Sequence, residues 1–187
     1  MDQRTLVERV KRGDQDAYAA LVHGSIVRLD IAARLILRDP ELARDAVQEA
    51  LFRAWRDIRG LRDPARFDAW LYRLTVNACL DQLRRRGRRP IEIPIAEMHV
   101  PMEFDHASAI ADRDMVDVVL RRLDPRGRAI VVLHYYLGLP LTDVASALGI
   151  PVGTVKSRLH RALSEMRESV PRDSSIRPSG IPERNLA

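Results

Sequence analysis

The sequence predicts an all-α protein of two small helical domains joined by an extended acidic linker, and three observations carry that reading. Almost every periodic stretch repeats its apolar residues at helical spacing, and no segment combines strict alternation with hairpin turn chemistry. Asp-Pro pairs at Asp39-Pro40, Asp63-Pro64 and Asp124-Pro125 mark three helix starts. Asp can accept from free backbone N–H groups there, while Pro fits the first helical position, where its missing N–H costs nothing. Between Arg89 and Arg113, the stretch PIEIPIAEMHVPMEFDHASAIAD holds three prolines and five acids with no Lys or Arg, which divides the chain. A length of 187 residues admits one large or two small domains, and 46% hydrophobic with 30% charged residues suffices to bury a core.

The first domain spans residues 1–89. Its opening, MDQRTLVERVKRGDQDAYAAL, alternates charge with apolar residues and lacks the unbroken apolar run of a signal peptide or membrane span. The helix starting at Pro40 turns Leu42, Ala43, Ala46, Val47, Ala50, Ala54 and Ile58 to the core. Asp45, Gln48, Glu49 and Phe52 line its other side at i, i+3, i+4 and i+7. An aromatic residue on an acidic face is either the apolar anchor of a protein contact surface or a side chain packed on a neighbouring helix. The helix from Phe67 to Arg86 is apolar on more than one side and is expected at the centre of the bundle. Phe67, Leu71, Leu74 and Ala78 form one seam, and Tyr72, Val76, Cys79 and Leu83 another. Trp70, Arg73, Asn77 and Arg84 share the stripe between them. Aromatic rings stack on accessible bases and Arg holds phosphate, so this stripe suits a single strand, though Trp70 in the core and arginines in solvent would read equally well. The run RRRGRR extends the positive end and adds a salt-dependent attraction to a polyanion.

After the linker, residues 90–109, a second domain spans residues 110–170, followed by a polar, Pro-rich tail at 171–187 expected to be disordered. In it, LTDVASALG is a short helix with Thr142 as its cap and Val144, Ala145 and Leu148 buried. A turn at Gly149 leads to a helix beginning near Pro151, whose Val155, Leu159, Ala162, Leu163 and Met166 fall within about a 100° arc. Lys156, Ser157, His160, Arg161 and Ser164 occupy the opposite arc. Short helix, glycine turn and a donor-rich second helix together describe a helix-turn-helix that presents its second helix to duplex DNA.

The formal charge of +5 and pI near 10.0 favour a polyanionic partner, although 26 acids against 31 bases make the charge uneven. Cys79 is the only cysteine, which excludes an internal disulfide and fits a reducing, cytoplasmic compartment. The histidines His23, His99, His106, His134 and His160 are scattered. No metal-ligand motif, phosphate-cradling loop or nucleophile elbow is present, so no metal, cofactor or catalytic residue is expected. His99, Glu103, Asp105 and His106 could be drawn as a metal cluster, but they read as solvated linker residues. Two non-enzymatic functions stay open on these residues: a free-standing helix-turn-helix regulator and a part of a polymerase.

The pattern resembles the extracytoplasmic-function, or group IV, sigma factors of bacterial RNA polymerase. DAVQEALFRAW resembles region 2.2, FDAWLYRLTVNACLDQLRRR regions 2.3 and 2.4, LRRLDPRGRAIVVLHYYLGL region 4.1, and LTDVASALGIPVGTVKSRLHRAL region 4.2. The resemblance implies sigma domains 2 and 4 and makes Asp45, Gln48, Glu49 and Phe52 the contact to the β′ coiled coil of core polymerase, with the β flap as a further core contact. It makes Trp70, Arg73, Asn77 and Arg84, with the loop RGLRDPAR, the site that captures the unwound minus-10 strand. Lys156, Ser157, His160 and Arg161 then read the minus-35 duplex, with Thr154 and Arg158 on phosphates. An anti-sigma factor is a further implied partner, and membrane insertion is not expected. The sequence departs from the family at Thr142-Asp143, where an aromatic-acidic pair is more usual, and His160 stands at a position that varies among relatives.

Overall fold

The computed structural model describes residues 2–87 and 119–169. The linker at 90–109 and the tail at 171–187 lie outside the described residues, as do His99, Glu103, Asp105 and His106. Among the described residues every regular element is helical. The first unit comprises α1 (Gln3–Lys11), α2 (Gln15–Leu37), α3 (Pro40–Asp57) and α4 (Phe67–Gly87), with short 3-10 turns at Ile58–Gly60 and Pro64–Arg66. The second contains α5 (Pro125–Val131), a π turn at Val132–Tyr136, α6 (Leu141–Leu148) and α7 (Val152–Ser169).

All three Asp-Pro starts form as their chemistry dictates. The Asp39 carboxylate accepts from the N–H groups of Glu41 and Leu42, and Asp124 from those of Arg126 and Gly127. Asp63 accepts from Ala65 N–H, but here the first turn is 3-10, and α4 proper begins at Phe67. Thr142 does not cap α6. Pro140 holds the cap position instead, its carbonyl accepting from Asp143 and Val144 N–H, which leaves Thr142 exposed in the first turn. A proline carbonyl serves this purpose as well as any other, because only the proline N–H is missing. Gly149 ends α6 at φ 64°, a left-handed conformation that a glycine adopts without a Cβ clash.

α4 is the central element, packed along α3 and against α2. Phe67, Leu71, Tyr72, Val76, Ala78 and Cys79 are buried, with Leu74 and Leu83 half-buried. Both apolar seams face protein, and buried Thr75 satisfies its hydroxyl on the Leu71 carbonyl. In the second unit Val155, Leu159 and Ala162 are buried against the shorter helices, while Leu163 and Met166 stay half-buried. The sequence pattern separates the two units, yet they touch: α6 packs on α4, and α5 and the π turn lie against α2. Their buried residues form one continuous apolar cluster.

Candidate nucleic-acid interface

The minus-10 candidates divide into two groups. Trp70 and Arg73, one turn apart on α4, line a cavity of about 450 Å³ together with Gly60, Leu61, Arg62, Asp63 and Arg66 of the preceding loop. Trp70 is half-buried and its ring leans on that of Phe67, centroids 6.0 Å apart, so one edge is held by the core and the rest faces the cavity. Asn77 is half-buried and Arg84 exposed further along the same helix, outside the cavity lining. Arg84 pairs with Asp81 at 3.0 Å, and Arg86 with Asp39 at 2.9 Å. The positive end of α4 is therefore partly tied down by acids of its own domain. An exposed pair of this kind is weak, so phosphates can displace it.

On α7, the candidate residues sort by direction. Lys156, Ser157 and His160 are exposed on the side away from the core. Arg158 is half-buried, and Arg161 is exposed with Nε donating to Glu165 at 2.9 Å. These two arginines line a smaller cleft of about 200 Å³ with Asp124, Arg126 and Glu165. Arg126, from the start of α5, thus stands beside both, a residue that sequence reasoning passed over. The signal was only that a cation follows the capping pair Asp124-Pro125; nothing local says that α5 docks on α7 at that point. Thr154 is half-buried and its carbonyl accepts from Ser157 Oγ at 3.1 Å, so that hydroxyl can also turn outward at little cost. The loop arginines Arg62 and Arg66 were likewise visible only as part of RGLRDPAR, and the fold is what aims them at Trp70.

The acidic face of α3 stays free of the core. Asp45 and Gln48 are exposed, and Phe52 is 61% exposed, so this ring does not pack on a neighbouring helix. Glu49 accepts from Arg53 Nε at 2.7 Å, and Arg53 reaches Asp81 of α4 at 3.3 Å. The hydrogen bond to Glu49, more than any other contact, raises the guanidinium pKa of Arg53 above its ordinary value. The face therefore carries one carboxylate bonded to Arg53, two exposed polar groups and one unshielded aromatic ring. No group of His, Cys, Asp and Glu among the described residues could hold a metal ion, and none of their helices is long and apolar enough to cross a membrane.

Two family models match the chain, one in each unit. The family Sigma-70 region 2 matches residues 16–89, and Sigma-70, region 4 matches residues 113–166. The RNA polymerase sigma-H factor of Pseudomonas aeruginosa is 34% identical, the alignment covering 92% of this chain and 93% of that one. The ECF RNA polymerase sigma factor SigM of Mycobacterium tuberculosis is 36% identical over 82% of this chain and 77% of its own. Among solved structures, the sigma factor RpoE of Bartonella quintana, crystallised with the anti-sigma factor NepR, superposes with a TM-score of 0.67. At 24% identity over 81% of this chain and 95% of that chain, it shares the fold.

Proposed function

Because the chain belongs to the extracytoplasmic-function group of the sigma-70 family, we propose that it binds core RNA polymerase through the acidic face of α3 and directs it to promoters. In this reading Asp45, Gln48, Glu49 and Phe52 meet the β′ coiled coil. Trp70 and Arg73, with the loop arginines, capture the minus-10 strand as it leaves the duplex, and Asn77 and Arg84 continue that track along α4. Stacking on Trp70 and charge neutralisation by arginine offset the cost of unstacking, which is why an aromatic and cations share one concavity. Lys156, Ser157 and His160 read minus-35 base edges, while Thr154, Arg158, Arg161 and Arg126 grip the backbone alongside. Moving Arg161 to the backbone set follows from its Glu165 pair and its turn toward α5.

The observation that carries this reading over a free-standing regulator is the exposed Phe52 on its acidic face. A regulator needs α6 and α7 alone, and leaves that ring without a purpose. The chain supplies recognition, and bond-making belongs to the polymerase, so it is read as a non-enzymatic, cytoplasmic subunit without a cofactor. The functional division is residues 1–89 for core and minus-10 binding, 90–109 as linker, and 110–170 for minus-35 binding. The β flap and an anti-sigma factor are further proposed partners; the Bartonella quintana relative supports the second, being solved with one. The test is transcription by purified core polymerase with and without the chain, followed by mapping of the start sites gained across the genome. Failure to gain any start site, with core binding unaffected by charge reversal at Asp45 and Glu49, would remove the proposal's basis.

A further inference from the structure

The contacts proposed for polymerase and promoter leave α1 unused, yet this helix lies along the loop of residues 58–66. It buries Leu6, Val7 and Val10 and packs on α2 and on both 3-10 turns of that loop. Each end of α1 is also bonded to the loop. At its start Gln3 Nε2 donates to the Pro64 carbonyl at 3.1 Å, across 61 positions of sequence. At its end the Lys11 carbonyl accepts from Arg59 Nε at 3.2 Å. That carbonyl is one of the last four of the helix, which have no donor within it, so Arg59 supplies the missing partner.

We propose that α1 is a splint for strand capture, with Gln3 and Arg59 as positioning residues that fix the loop before a strand arrives. The inference rests on the promoter reading above. Three arginines fall within residues 58–66, and the fold sorts them. Arg62 and Arg66 line the open cavity beside Trp70, whereas Arg59 is absent from that lining and turns to α1. The Pro64 carbonyl takes a second donor, the Phe67 N–H, at the entry to α4. A carbonyl oxygen has two lone pairs and accepts both. Phe67 is fully buried and its ring supports that of Trp70, centroids 6.0 Å apart. One chain of contacts thus runs from Gln3 through Pro64 and Phe67 to Trp70. Within the loop Leu61 and Pro64 are buried, while Arg62, Asp63, Ala65 and Arg66 are exposed. Apolar anchors fix the backbone and leave the polar side chains to the strand. A loop already held in its binding conformation loses little freedom on capture and accepts only the base that fits it. A loosened loop adapts to other bases, so the damage falls on discrimination and spares the sequence-independent attraction to phosphate.

Four variants of the full chain test this. Gln3→Met keeps the length of the side chain and removes its donor without a change of charge, and Arg59→Met removes the other bond. Gln3→Lys keeps a donor, and Thr5→Lys adds the same charge at an exposed position of α1. Hydrogen exchange in the free chain follows the Leu61 and Arg66 amides, which donate within the loop to the Ile58 and Asp63 carbonyls. With core polymerase, the rate of strand opening is measured on a promoter from the mapped start sites and on derivatives with one base of the minus-10 element substituted. The ratio of the two rates is the reading, because added or lost charge acts on every sequence alike and cancels in it. Gln3→Met and Arg59→Met should quicken exchange at both amides and lower the ratio, each about three- to tenfold. Gln3→Lys and Thr5→Lys should match the parent in both readings. The splint is overturned if neither Met variant quickens exchange, or if Gln3→Lys is as loose as Gln3→Met. An unchanged ratio, even with faster exchange or an equal loss on every derivative, overturns the positioning role and leaves α1 a purely structural helix. A parent chain that directs no transcription overturns the promoter reading and the positioning role with it, while the exchange rates still decide whether α1 holds the loop.

Discussion

Lys156 and Arg126 carry the same charge on the surface proposed to meet DNA but differ in direction, and in that proposal the difference separates sequence reading from backbone grip. Lys156 projects from the outer side of α7, while Arg126 shares the flanking cleft with Arg158 and Arg161. Lys156→Ala should therefore cost about 1–3 kcal/mol on the cognate minus-35 element and much less on a scrambled one. Arg126→Ala should weaken both DNAs alike and reduce the salt slope by about 1. Titration of holoenzyme against both duplexes at several salt concentrations checks the pair, and equal losses for Lys156→Ala would assign it to phosphate. Cys79 gives a residue-scale prediction of another kind. Burial pushes its thiol pKa up to about 12 from 9.0, so the folded state holds the proton more tightly than the unfolded state. The stability it contributes is complete below pH 9 and is lost as pH rises toward 12. At neutral pH the thiol is protonated and covered, and a maleimide should alkylate it at the rate of global opening; fast labelling of the native chain would contradict its burial.

At the level of the helix, α3 presents the acidic face only as well as its start is fixed. Asp39 accepts two backbone N–H groups there and also pairs with Arg86 at the end of α4. Asp39→Ala should lower unfolding stability by about 1 kcal/mol through the lost cap, read as a shift of the urea midpoint without a change of slope. Trp70→Ala should slow strand opening more than closed-complex formation, followed by permanganate reactivity of the melted bases; a chain that fails to fold would instead place Trp70 in the core. The helix starts were legible because Asp-Pro chemistry is local, as were the stripes of α4 and α7 because periodicity reports which faces of one helix differ. What periodicity cannot report is the partner of each face. Arg126 beside Arg161 depends on how α5 meets α7, and Asp143 on Arg66 depends on residues 77 positions apart in sequence. The cap of α6 was misread because Thr142 has the commoner capping side chain, while Pro140 works through its carbonyl. The π turn at Val132–Tyr136 carries no local signature, since one extra residue in a helix changes neither composition nor punctuation.

Across the whole molecule, the proposed division of labour makes a quantitative demand on combined variants. The acidic face lies on α3 and the duplex-reading face on α7, with no hydrogen bond or ion pair joining Asp45, Glu49 or Phe52 to Lys156 among the bonds the structure shows. Variants in the two units should then add, within about 0.5 kcal/mol, as separated sites without shared partners do. Phe52→Ala should weaken binding to core polymerase, by at least about 2 kcal/mol if the ring is a central anchor, and leave folding untouched because the side chain is exposed in the free chain. Lys156→Ala should leave core binding unchanged and weaken only the minus-35 step. The double variant, measured by core affinity and by holoenzyme binding to the promoter, should show the sum of the two losses. A deviation has a direct structural meaning, because α6 of the second unit packs on α4 of the first. A promoter loss in the double variant beyond the sum would mean that this contact couples the two faces. In that case Asp143→Asn, which removes the bond from Arg66 across this contact, should bring the excess back toward zero, whereas an excess that persists would have to arise within the polymerase complex itself.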